Sequence, residues 1–169
     1  ATNGIGLIAL VLGDSLGYVA DAEAKALQTL RSLAGEEPGF NPDRNATGYF
    51  RHFIDYNTGA QAWNSEYSSI DTGILVRGVQ YCAGYFENAE IQRLAAIITE
   101  NIDWTATIAD PVSGGIYREL NEAGKGIETA ITRPFNEYMI VAWLARNQER
   151  DAGISGKATA LWNRHYANP

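Results

Sequence analysis

Gly48-Tyr49-Phe50-Arg51-His52-Phe53-Ile54-Asp55 and, beyond the turn signal Asn57-Thr58-Gly59, Trp63-Asn64-Ser65-Glu66-Tyr67-Ser68-Ser69-Ile70-Asp71-Thr72 form the stretch on which the reading of this chain turns. Seven of the chain's 18 aromatic residues lie between Phe40 and Tyr67. They are interleaved with Arg51, His52, Asp55, Glu66 and Asp71, which a segment that only filled a core would not carry. Aromatic faces stack on the apolar C–H faces of sugars, and neighbouring carboxylates handle hydroxyls and protons. The stretch therefore points to saccharide chemistry.

Working outward, the apolar spacing predicts helices on both sides. Thr2 or Asn3 is placed to cap a first helix running to about Leu16, with Ile5, Ile8, Leu12 and Leu16 marking one apolar face and Leu7 and Leu10 widening it, as in a deeply buried helix. Asp21 is the expected cap of a second helix ending at about Leu33, and Gly35 to Thr47 reads as a polar loop. Tyr49 to Tyr56 is weakly β-like, with Gln61 to Trp63 as its returning hairpin strand. Ser69 is the expected cap of a third helix to about Phe86, and Asn88 of a fourth carrying Ile91, Leu94, Ala95 and Ile98. Asp103 to Arg133 reads as loop and hairpin, with turns at Gly114-Gly115 and Gly124-Lys125-Gly126. Glu137 to Ala145 and a segment capped by Ser155 complete about six helices. Long loops holding most of the polar and aromatic residues mark function in a compact domain.

The length of 169 residues fits one domain, and 46% hydrophobic with 20% charged residues marks a globular chain. A net charge of −7 argues against nucleic acid, whose phosphates need clustered Lys and Arg. The longest apolar run, Ile5 to Leu12, contains Gly6 and is too short to span a membrane. A lone cysteine, Cys82, in an apolar helical pattern reads as a core residue. No His, Cys or Asp spacing predicts a metal site, and no phosphate-loop pattern predicts a nucleotide cofactor. The sequon Asn45-Ala46-Thr47 is a frequent chance match. The start at Ala1-Thr2-Asn3, already inside a helical pattern, is read as that of a fragment.

Glu66 and Asp71 flank the start of the third helix, where the dipole favours negative charge. Each serves as a catalytic carboxylate or as a support of the helix start. Arg133-Pro134-Phe135-Asn136-Glu137-Tyr138 places Glu137 in an expected first turn, as a general acid, a sugar ligand or a dipole partner. His52 is a sugar contact or a hydrogen-bonded structural residue. Trp63, Arg133, Asp55, Tyr67 and Arg51 are the further candidate saccharide contacts.

The segments Gly48 to Asp55, Trp63 to Thr72 and Phe135-Asn136-Glu137-Tyr138-Met139, with Ile102-Asp103-Trp104, resemble the glycoamylase-like domain family. That family includes bacterial β-1,2-glucanases and domains attached to cyclic β-1,2-glucan synthases. The resemblance runs from about Gly4 to Trp162. It implies an all-α fold, an (α/α)6 toroid, of which this chain would be a partial one of about six helices with short hairpins in its loops. It implies a single domain over residues 1–169, truncated at both ends and lacking its C-terminal half. It further implies hydrolysis of a glucan, most readily β-1,2-glucan, with Glu137, Glu66 and Asp71 as acidic cleft residues and His52, Trp63 and Arg133 as sugar contacts. No cofactor is implied, and a periplasmic or extracellular location is. Half a toroid leaves inner apolar faces open, so self-association or pairing with the missing half is expected. A sugar-binding or regulatory module without turnover is the competing reading.

Overall fold

The computed structural model describes residues 1–167. They comprise six α-helices and two small antiparallel sheets, 48% helix and 11% strand. The expected all-α toroid is thereby corrected to a mixed α and β architecture. The physical reason lies in the connecting segments, whose backbone N–H and C=O groups need partners once buried and find them in one another as paired strands. The chain divides into two compact units.

The first unit holds Ala1–Asp43, His52–Ser65 and Ile74–Asn101. It contains α1 (Thr2–Ser15), α2 (Ala22–Leu33), most of α3 (Ser69–Tyr85) and α4 (Ala89–Thr99). α1 packs on α2, and α2 on α4. Leu7, Val11, Leu30, Val79, Cys82, Ile91, Leu94 and Ile98 make its core. Of the expected apolar residues of α1, Leu7 is buried, together with Gly4 and Val11, while Ile5, Leu12 and Leu16 stand exposed. Gly4 and Gly78 explain the choice. A Cβ on Gly78 would overlap the carbonyl oxygen of Gly4, so α1 and α3 cross at backbone contact and that crossing sets the rotation of α1. Caps also differ from expectation. Ala1, not Thr2 or Asn3, precedes α1; Asp21 stands at the N-cap position of α2 as expected, but its side chain pairs with Lys25 and makes no capping hydrogen bond. Asn88 does cap α4, accepting from the N–H groups of Glu90 and Ile91. The expected hairpin reduces to one bridge between Ile54 and Gln61 around the turn at Gly59.

The second unit holds Arg44–Arg51, Glu66–Gly73 and the described part of Ile102–Pro169. β1 (Tyr67–Ser68) pairs with β4 (Glu119–Leu120). β2 (Ile108–Asp110), β3 (Gly115–Tyr117) and β5 (Ile131–Thr132) form a three-stranded sheet in the order β2-β3-β5. The turn expected at Gly114-Gly115 joins β2 to β3. A Cβ on Gly114, whose φ is +74°, would overlap the ring of Pro134. α5 (Met139–Asp151) packs on α6 (Lys157–His165). Tyr49, Tyr67, Ile102, Ile116, Val141 and Leu161 are buried here. Tyr49 meets Trp104 edge to face at 5.4 Å and donates to the carbonyl of Asp103 at 2.9 Å.

Two polar side chains lock this unit. Asn45 is buried; its Oδ1 accepts from the N–H groups of Thr47 (3.1 Å) and Tyr49 (2.9 Å), and its Nδ2 donates to the carbonyl of Asn121 at 3.0 Å. Glu149 of α5 is only 3% exposed and holds the start of α6. It accepts from the N–H groups of Gly156 (2.9 Å), Ala158 (3.0 Å) and Thr159 (2.8 Å). Ser155, the expected cap, lies outside: the cap residue is Gly156, and the capping side chain comes from the neighbouring helix.

Candidate functional site

The second unit holds the three candidate catalytic carboxylates. Ser68 precedes α3, and its hydroxyl oxygen accepts from the N–H of Asp71 at 3.2 Å while its hydroxyl donates to the Asp71 carboxylate at 2.5 Å. Ser68 is therefore the working cap of α3. Ser69, expected in that role, is the first helical residue and donates to the carbonyls of Tyr117 and Arg118. The exchange fixes Asp71 in the first turn of α3, where the helix end favours its charge. Glu66 is half-buried immediately before β1.

Glu137 stands in a turn before α5, exposed, rather than in its first helical turn. The reason is local. Phe135 adopts φ +68°, a conformation costly for a residue with a side chain. Asn136 then caps the turn, its Oδ1 accepting from the N–H of Tyr138 at 3.0 Å and its Nδ2 donating to Thr132 Oγ1 at 2.7 Å. Helix begins only at Met139. Arg133 is exposed just before this turn, and its carbonyl accepts from Asn136 at 3.0 Å.

Tyr138, next in sequence to Glu137, is buried. Burial pushes its phenol up to about 12; the Arg118 guanidinium opposes that shift, and the carboxylates of Glu137, Asp71 and Glu66 add to it in smaller measure. Sequence reasoning gave neither Arg118 nor Tyr138 a role. Tyr138 lies inside a quoted motif, and Arg118 falls between β3 and β4, where only the strand pairing brings it in.

Other candidates lie elsewhere in the same unit or in the first. Arg51 spreads over the Tyr67 ring with its guanidinium carbon 3.7 Å from the centroid, and it pairs with Glu122 at 2.6 Å. Tyr67 is buried and donates to the same carboxylate at 2.8 Å. Both side chains are bound into the β1–β4 region, with Glu122, which the sequence did not single out, as their joint partner. In the first unit His52 stacks on Phe53 at 3.9 Å, and Phe53 meets Trp63 edge to face at 5.2 Å. Trp63 is 82% exposed with φ +53°, an apolar ring held out to solvent at a conformational cost. Asp55 accepts from the N–H groups of Asn57 and Thr58 and from the Thr58 hydroxyl, which hold its carboxyl below the usual range. Cys82 is buried, and burial pushes its thiol up to about 11, as suits an inert core residue.

Among the described residues no group of three or more His, Cys, Asp or Glu is disposed to hold a metal ion, and no helix is long and apolar enough to cross a membrane. Comparison with protein-family models, with curated proteins and with solved structures finds no match.

Proposed function

We propose that this chain carries a glycoside hydrolase site acting on a glucan, with Glu66, Asp71 and Glu137 as its carboxylates. The observation that supports the reading is that Glu66, Asp71 and Glu137 belong to one compact unit and each adds to the raised pKa of the buried Tyr138. Glycoside hydrolysis needs one carboxylic acid to protonate the leaving oxygen and one carboxylate to activate water or attack the sugar. Three candidates at one site supply both roles. The exposed position of Glu137 leaves it open to a polymer, and Ser68 fixes Asp71 in place. The resemblance to glycoamylase-like domains supports β-1,2-glucan as the polymer and a location outside the cytoplasm. Ile5, Leu12 and Leu16 stand exposed along α1 in the first unit, which supports self-association; a monodisperse monomer in light scattering at rising concentration would remove that part of the proposal.

The experiment is mass spectrometry of soluble products after incubation with linear β-1,2-glucan, β-1,3-glucan and starch in parallel. Short oligosaccharides from one polymer are expected, with a drop of about 10²–10⁴-fold in Glu137→Gln or Glu66→Gln. Saccharide binding without any product would replace hydrolysis by the binding-module reading. Neither binding nor product would remove the proposal altogether.

A further inference from the structure

A cleft of about 610 Å³ opens within the helical unit between the outer face of α2 and the turn that follows Ile54. Ligand sites are commonly of this size and combine aromatic surface with a few placed polar groups. Its ionisable carboxylates are Glu37 and Asp55, and no Lys or Arg lines it. That balance disfavours phosphate and carboxylate ligands, which need cationic forks.

The polar groups are a mixture of acceptors and amide donors. Asp55 spends Oδ1 on the N–H groups of Asn57 and Thr58 and on the Thr58 hydroxyl, which fixes the carboxylate in place. Those bonds leave Oδ2 available. Thr29 and Ser32 donate their hydroxyl protons to the carbonyls of Lys25 (2.9 Å) and Gln28 (3.2 Å), so each presents an oxygen lone pair outward. Gln28 and Asn57 add side-chain amides, which both donate and accept. The apolar surface is aromatic: Phe40 is half-buried in the wall, and Tyr56 stands 90% exposed at the rim. Dense hydroxyls on one face and C–H groups on the other are what this lining complements.

We propose that this cleft binds a short neutral saccharide, with Tyr56 stacked on a ring face, Asp55 Oδ2 accepting ring hydroxyls, and the amides of Gln28 and Asn57 completing the hydrogen bonds. All of its lining belongs to the first unit, and its binding does not depend on the candidate carboxylates of the second unit hydrolysing anything. It retains a saccharide whether or not the chain turns one over.

The test is amide chemical-shift mapping of the whole chain with sophorose, cellobiose, maltose and diacetylchitobiose, each at about 10 mM, enough to fill a site of millimolar affinity. At least one is expected to shift the backbone amides of Asn57 and Thr58 and the side-chain amide of Gln28. Tyr56→Ala, at a position too exposed to disturb folding, is expected to weaken binding about tenfold by removing the stacked ring. Asp55→Asn keeps the oxygen that holds the turn but removes the charge, and it too weakens binding. Silence of these resonances with all four sugars overturns the proposal, as do shifts that Tyr56→Ala leaves unchanged. Shifts confined to Arg118, Glu137 and Tyr138 overturn it while sparing the hydrolase reading. Spermidine shifting the cleft where the sugars do not overturns it in favour of a cationic ligand.

Discussion

Replacing Glu149 by Gln should cost the chain more stability than any charged surface substitution. The carboxylate accepts three backbone N–H bonds from the start of α6: Gly156 and Thr159 on Oε2, Ala158 on Oε1. Burial alone would raise its pKa, but the Thr159 hydroxyl and these amides outweigh burial and hold it below the usual value. A glutamine keeps one oxygen for the two donors on Oε2 and turns its NH2 group toward the Ala158 N–H, donor against donor. With hydrogen bonds to a charged acceptor worth about 1.5–3 kcal/mol each, losing one outright and weakening two gives about 2–4 kcal/mol. Urea denaturation followed by tryptophan fluorescence reads the loss, since Trp162 lies on α6. Hydrogen exchange at Gly156, Ala158 and Thr159 should quicken in step. The pH dependence fixes the cause. A depressed carboxyl stabilises the fold above its unfolded pKa of about 4.3, and that contribution fades as pH falls through the lower folded value. Wild type and Glu149→Gln should therefore converge on acidification. A variant within about 0.5 kcal/mol of wild type at pH 7, or a gap that persists into acid, would refute the reasoning.

Three further outcomes are expected. Gly78→Ala forces a Cβ onto the Gly4 carbonyl at the α1–α3 crossing and should destabilise by about 1–3 kcal/mol, read as a lowered Tm. Ultraviolet titration should show a tyrosine ionising near 12 that Tyr138→Phe removes. Because the folded pKa is raised, this group's contribution to stability is complete below about pH 10 and is lost as pH climbs through the folded value. Glu122→Ala removes the acceptor shared by the Arg51 guanidinium and the Tyr67 hydroxyl and, with the carboxylate largely in solvent, should cost about 0.5–1 kcal/mol by denaturant midpoint, while Glu122→Gln recovers part of it.

The elements legible in the sequence are those whose signals are local. Asn88 followed by Ile91, Leu94, Ala95 and Ile98 places both the cap and the buried face of α4 within one helix. α1 offers apolar residues on every side, so periodicity cannot choose its face; a glycine contact with residues more than seventy positions away does. The β2–β3 hairpin around Gly114-Gly115 was expected, but the pairing of β1 with β4 escaped for a related reason. β1 and β4 are two residues each and far apart in sequence, too short for alternation to register. Of the site, the carboxylates were readable because acidic residues beside aromatics stand out. Arg118 was not, since its place depends on strand pairing, and Glu149 in a helix looks like any solvent-facing acid. Glu137 was read one turn too far into α5 because nothing in the sequence announces the left-handed backbone at Phe135.

The locked position of Asn45 has a practical consequence for producing the protein. Asn45-Ala46-Thr47 satisfies the acceptor pattern for N-linked glycans, which are attached to Nδ2. In the fold that nitrogen is already committed to the Asn121 carbonyl within a buried side chain. Oligosaccharide transfer in a secretory host acts on the nascent chain, before this bond can form. Yeast or mammalian secretion would then divide the product into a sugar-bearing population unable to close the loop around Tyr49 and an unmodified one that folds. Bacterial expression, or Thr47→Ala in a secretory host, should yield a single species.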